Sequence, residues 1–117
     1  VKVISKIDLE FIRGDSKLIE LEILRDAVAV DISGWILYFT MKKSINEADE
    51  VAGIKKDITQ HSDPTHGKTQ IAVSSIETRN LEGIYLYDIR IKDMQDNVIT
   101  ILMGRVTIIE SLRREIS

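Results

Sequence analysis

The sequence predicts an all-β protein, an antiparallel immunoglobulin-like β-sandwich of seven to eight strands, on three observations. Apolar and polar residues alternate with period two through most of the chain, turn-forming Gly, Asp and Asn interrupt the alternation at short intervals, and no stretch sustains a helical period. At 117 residues the chain has the size of a single domain, residues 1–117. Such a domain buries roughly two-thirds of its unfolded surface, so it needs no disulfide or metal staple.

The elements follow in order. Ile7–Ile12 reads as a strand that ends at the Arg13-Gly14-Asp15 turn, and Lys17–Leu24 as a second with Ile19, Leu21 and Ile23 opposite Glu20 and Glu22. Asp31-Ile32-Ser33-Gly34 leads into a strand that sets Trp35, Leu37, Phe39 and Met41 against Ile36, Tyr38, Thr40 and Lys42. Weaker strands are expected at Ala52–Ile58 and Thr69–Val73, separated by the polar loop Gln60–Gly67, which holds the only proline, Pro64. Ser74–Leu81 fits one helical turn, with Ser75 followed by Glu77 and Thr78.

Tyr85, Tyr87, Ile89 and Ile91 alternate with Asp88 and Arg90; a helical reading would mix Asp88 and Lys92 into the apolar face, so the strand reading wins. Leu81–Tyr87 also has the spacing of a tyrosine corner, in which a strand tyrosine ties its hydroxyl back to the preceding loop. Asp93–Asn97 forms a hairpin loop into a last strand whose apolar phase runs Ile99, Ile101, Met103 and then switches to Val106 and Ile108. Gly104 lies at the switch, which predicts a β-bulge there.

Composition excludes several chemistries. There is no cysteine, which removes thiol catalysis, disulfides and Cys-ligated zinc. With 16 Lys and Arg against 19 Asp and Glu, nothing in the bulk charge calls for nucleic acid or an anionic membrane, and Arg113-Arg114 is too small a basic patch to change that. No apolar run approaches the ~18 residues of a membrane span, and Val1–Arg13 interleaves Lys2, Lys6, Asp8 and Glu10 where an export signal would be apolar. His61 and His66, flanked by Asp63, are more simply solvated loop residues than metal ligands. Ser62 and Ser74 lack a nucleophile-elbow context, and the six glycines are dispersed, so no phosphate loop exists. The acidic groups Glu47-Asp49-Glu50 and Asp93-Asp96 lack calcium-loop order. The expectation is a protein with no catalytic, cofactor or metal residues. Arg13-Gly14-Asp15 spells an integrin-recognition tripeptide, which would need Gly14 at a projecting loop tip.

Phe11-Ile12-Arg13-Gly14-Asp15, Asp31-Ile32-Ser33-Gly34-Trp35 with Tyr38-Phe39-Thr40-Met41-Lys42, Ile76-Glu77-Thr78 before Leu81–Ile89, and Ile99–Gly104 form an ordered series spanning roughly residues 10 to 110. The series resembles the small β-sandwich domains of tailed-phage and prophage structural proteins, including the amino-terminal domain of baseplate upper proteins. Ile32 and Ser33 stand where that pattern usually has Leu and Thr. The resemblance implies a non-catalytic virion domain, made in the bacterial cytoplasm, that stands alone as an adaptor or belongs to a longer tail protein. Its partners would be other phage structural proteins and further copies of itself, with no nucleic acid and no membrane. An Ig-like binding or adhesion module of a bacterial host protein would use the same fold.

The residues offer a surface for such a role. Ile36, Tyr38, Ile84 and Leu86 are apolar on the strand faces opposite the expected core, and Val28 and Val30 lie in a run with few charges that reads as an open edge. These six are the candidate partner-interface residues.

Overall fold

The computed structural model describes residues 5–44, 46 and 53–111. The Glu47-Asp49-Glu50 group, Ala52 and Arg113-Arg114 lie outside the described residues. The strands are β1 (Ser5–Lys6), β2 (Leu9–Ile12), β3 (Lys17–Glu22), β4 (Leu24–Arg25), β5 (Val28–Ala29), β6 (Ile36–Lys42), β7 (Ile54–Ile58), β8 (Lys68–Val73), β9 (Ile84–Lys92) and β10 (Val98–Ile109), with one helical turn, α1 (Ser75–Arg79), between β8 and β9.

The all-β expectation holds, and its arrangement differs from a purely antiparallel sandwich. Six strands form one sheet in the order β1-β10-β9-β6-β7, with β2 following β1 along the same side of β10. β10, β9, β6 and β7 pair antiparallel, but β1 and β2 run parallel to β10, so the sheet is mixed. The reason lies in the connection: parallel neighbours cannot be joined by a tight turn, and here the whole body of the domain is the crossover between β2 and β10. The antiparallel ribbon β3–β8 supplies a second layer. Its inward residues Ile19, Ile71 and Val73 share one buried cluster with Phe11, Leu37, Phe39, Met41, Ile89 and Val106 of the large sheet.

The alternation legible in the sequence sets which side chains point inward. Leu37, Phe39 and Met41 of β6 and Tyr85, Tyr87, Ile89 and Ile91 of β9 are all buried, while Trp35 is only partly so. The edge strand β7 turns Ile54 into the core and, two residues on, Lys56 to the same side, where it pairs with Glu77 of α1 at 2.9 Å. An inward-facing charge on an edge strand discourages pairing with a further strand.

Two local expectations are corrected. The register of β10 against β9 shifts between Thr100 and Leu102, so the bulge is at Ile101, and pairing continues unbroken from Met103 through Gly104 to Val106. Helix α1 is capped by Ser74, one residue before the position the sequence pointed to. The Ser74 side chain accepts from the Glu77 amide at 3.1 Å and the Glu77 carboxylate accepts from the Ser74 amide at 2.9 Å, a reciprocal capping box. Partial burial works against the charge of Glu77, but the Ser74 amide and Lys56 together hold its carboxyl below the usual range.

The α1 turn also anchors the Arg13-Gly14-Asp15 turn. The buried Thr78 hydroxyl accepts from the Gly14 amide at 3.0 Å and donates to the Asp15 carbonyl at 2.8 Å, while Arg13 donates to the Arg79 carbonyl and faces Glu110 at 3.3 Å. This turn is docked against the body of the domain, so the projecting tip that integrin recognition needs is not there. Thr78→Val keeps the shape and removes the hydroxyl, leaving two backbone groups unpaired. It is expected to cost about 2 kcal/mol in urea unfolding, with Thr78→Ser close to the parent; equal losses for the two variants would refute the bridging role.

Candidate interaction surfaces

The outer face of the large sheet is built from alternate residues of four strands, and strand pairing fixes its rows. Lys55 of β7, Thr40 of β6, Asp88 of β9 and Met103 of β10 form one row; Asp57, Tyr38, Arg90 and Thr100 form the next. Beyond the first row lie Lys42, Leu86 and Arg105, and beyond the second Ile36, Lys92 and Val98. The face is a shallow groove to which residues of all four rows contribute, among them Lys42, Lys55, Asp57, Leu86, Asp88, Arg90 and Lys92.

Four of the six candidate interface residues lie here, but not as one patch. Because β6 and β9 run antiparallel, Ile36 faces Lys92 and Tyr38 faces Arg90, whereas Leu86 faces Lys42 and Ile84 lies beyond it. The two apolar pairs therefore sit at opposite ends of the face, six residues of β9 apart between Leu86 and Lys92, or about 20 Å at strand rise. Ile84 and Leu86 are 54% and 41% exposed, while Ile36 and Tyr38 are half-buried. The charges Lys55, Asp57, Asp88 and Arg90 occupy the middle. Lys55-x-Asp57 and Asp88-x-Arg90 are visible in the sequence as period-two charge pairs, but only the register shows that they share two rows on the strands flanking β6.

Val28 and Val30 belong to a different place. β4 and β5 form a short hairpin whose turn residues Asp26 and Ala27 both take positive φ, at 53° and 66°. Val28 projects from this hairpin, 66% exposed, and Val30 lines a cleft of about 400 Å³ between the hairpin and the β9–β10 end of the sheet. Leu21, Ile23, Trp35, Ile99 and Leu102 supply much of its apolar lining, and Glu22, Arg25, Asp93 and Asn97 its polar rim. The bulge makes this cleft: by adding one residue at Ile101 it lets Ile99, Ile101 and Leu102 all line the same side. Trp35 is held from behind, its carbonyl accepting from His61 Nε2 at 2.8 Å, while His61 Nδ1 meets the buried Thr69 hydroxyl at 2.8 Å. His61 is thus a structural bridge and not the solvated loop residue expected; His66 is exposed and pairs with Asp63 at 3.0 Å. At the rim, the Asn97 amide, helped by that of Gln95 against slight burial, holds the Asp93 carboxyl below its usual range and closes the β9–β10 turn. Among the described residues no group of three or more His, Asp or Glu is placed to hold a metal ion.

The two tyrosines of β9 serve the framework. Tyr85 completes a loose tyrosine corner, its hydroxyl accepting from the Glu82 amide at 3.4 Å. Tyr87 reaches across Gly104 and donates to the Ile7 carbonyl at 2.5 Å. Burial, with a smaller contribution from Asp8, pushes the Tyr87 hydroxyl above its ordinary value of 10.0. The unfolded chain therefore loses this proton first, so the associated stability is intact below pH 10 and is lost as pH rises toward the folded value. Tyr87→Phe is expected to cost about 1 kcal/mol at neutral pH and to unfold less steeply with alkali, read from urea midpoints across that range. An unchanged alkaline slope would place the responsible group elsewhere.

No family model matches the chain, and no curated protein does either. Among solved structures, the chain is similar to the N-terminal domain of phage TP901-1 ORF48, with a TM-score of 0.56 at 10% identity over 92% of this chain and 98% of that one. The likeness is one of fold. It is also aligned with a sialyltransferase from Photobacterium damsela at a TM-score of 0.37 and 11% identity, covering 93% of this chain but only 18% of that one. So low a score carries no argument about this chain.

Proposed function

We propose that this domain is a non-catalytic structural module of a phage or prophage tail or baseplate, which joins virion proteins through exposed sheet surfaces. The observation that carries the reading is the shared fold with a phage domain of nearly the same extent, 92% of one chain against 98% of the other. The ordered turn-and-strand series from Phe11 to Gly104 supports it from the sequence side. The geometry suits the role: titratable groups such as His61, Asp93 and Glu77 are committed to bridges, turns and caps, while the outer sheet face and the Trp35 cleft stay open to solvent.

The test is physical recovery. A lysogen carrying the gene is induced, tail particles are banded by density, and the chain is sought in them by mass spectrometry. Stoichiometric recovery with tail proteins is the expected result. Its absence from particles while it is made in the same cells would overturn the virion reading and favour a host binding module.

A further inference from the structure

We infer that the partner of the outer face is a second copy of the same chain, related by a two-fold axis that runs across the strands between the Asp88 row and the Arg90 row. The inference deepens the assembly reading by naming a partner, and rests on it for the choice of face. Charge decides the arrangement. A two-fold along the rows inverts strand direction and exchanges the two central rows, so that Lys55 lies over the partner's Asp57, and Asp88 over the partner's Arg90, each pair occurring twice. Moving the axis onto the Asp88 row would set Lys55 over Lys55 and Asp88 over Asp88. Moving it onto the Leu86 row would set Lys42 and Arg105 against themselves. An axis parallel to the strands between β6 and β9 would set Asp88 over Thr40 and Arg90 over Tyr38, leaving all four charges without opposite-sign partners in the second copy. An axis along β6 would also set Lys55 over Asp88 and Asp57 over Arg90, but it places Lys42 over the partner's Lys42, so of these placements only the first pairs all four central charges with opposite ones without setting a charge on itself.

The same axis resolves the split of the apolar residues. It carries the Leu86 end of one copy onto the Ile36 end of the other, so Leu86 lies over the Lys92 stem and one strand away from the partner's Ile36. Residues separated by about 20 Å within a chain become neighbours between chains. The strands of the two copies cross in the aligned manner of packed sheets, at about 10 Å separation. Asp88 already interacts within its own chain, so the second copy adds to its partners and does not supply its only one.

The experiment is sedimentation equilibrium on the full chain and on charge-reversed variants, with circular dichroism to confirm that each is folded. The parent is expected to dimerise, more weakly in molar salt. Asp88→Arg and Arg90→Asp each place like charges across the axis and should weaken association at least tenfold. The double variant Asp88→Arg/Arg90→Asp restores complementarity and should recover association to within a few-fold. If a reversal disturbs folding, Lys55→Asp and Asp57→Lys, alone and together, ask the same question at the edge strand. A parent that stays monomeric at millimolar concentration, or a double variant no better than the singles, overturns the proposal. A monomeric domain still recovered in tail particles removes the second copy alone; a dimer absent from particles removes the virion reading alone.

Discussion

Phe39→Ala is expected to cost about 4 kcal/mol and to be the most damaging truncation in β6. The ring is fully buried at the centre of the strand, flanked on one side by Ile89 of β9 and on the other by Lys56 of β7, with which it shares rows. It meets the Tyr87 ring at a centroid distance of 6.1 Å and an angle of 51°, an arrangement that adds to simple burial. Truncation removes the transfer energy of the ring and leaves a void between the two layers, which the strands cannot close because pairing on both sides holds β6 at a fixed spacing. Phe39→Leu should recover roughly half of the loss, since most of the volume returns without the ring contact. Urea unfolding of the pair reads both values. A loss below about 1.5 kcal/mol for the alanine variant would mean that the second layer collapses onto the sheet, and that the core is less fixed than its packing implies.

Burial of this kind was legible in the sequence because period two is a local property. Trp35 to Met41 and Tyr85 to Ile91 fix their own inward faces whatever they pair with, and both patterns survive in the structure, with Trp35 and Ile91 reaching the open cleft. Direction and register are not local. The parallel pairing of β1 and β2 with β10 joins residues nearly a hundred positions apart, such as Leu9 and Val106, and no spacing in the chain encodes it. The β4–β5 hairpin is not legible for a different reason. Its turn uses Asp26-Ala27 at positive φ, where a glycine or asparagine in the second position would mark it, so the run through Val30 reads as a continuous edge. Among the interface candidates, Ile36, Tyr38, Ile84 and Leu86 take the outer face that their alternation predicts, but only the antiparallel register of β6 and β9 shows that Ile36 and Leu86 lie at opposite ends, with a charge quartet between them.

Gly104→Val is expected to cost about 3 kcal/mol, although it places a strong strand former in the interior of a strand. The phase change around Gly104 suggested a bulge, and a bulge would tolerate a side chain. The structure gives the glycine another task. Between β1 and β2 the chain passes Ile7 and Asp8 directly over Gly104, and a β-carbon there would stand well inside the van der Waals contact of the Ile7 carbonyl oxygen. That oxygen accepts from the Tyr87 hydroxyl at 2.5 Å, and the Ile7 amide donates to Met103 at 3.0 Å, so the crossing is bonded on both sides of the glycine. The obstruction is backbone, which cannot swing aside like a side chain; relief requires the crossing to lift, which breaks both bonds and loosens β1 and β2 from β10 together. Gly104→Ala should already show most of the effect, because the first carbon makes the clash and the added methyls only extend it. Hydrogen exchange reads the site of the damage: the close approach predicts lost protection at Ile7 and along β2, with the β9–β10 hairpin turn at Asp93–Asn97 unchanged. Loss confined to the β9–β10 ladder, with Ile7 still protected, would mean that the glycine serves the ladder and not the close approach of Ile7.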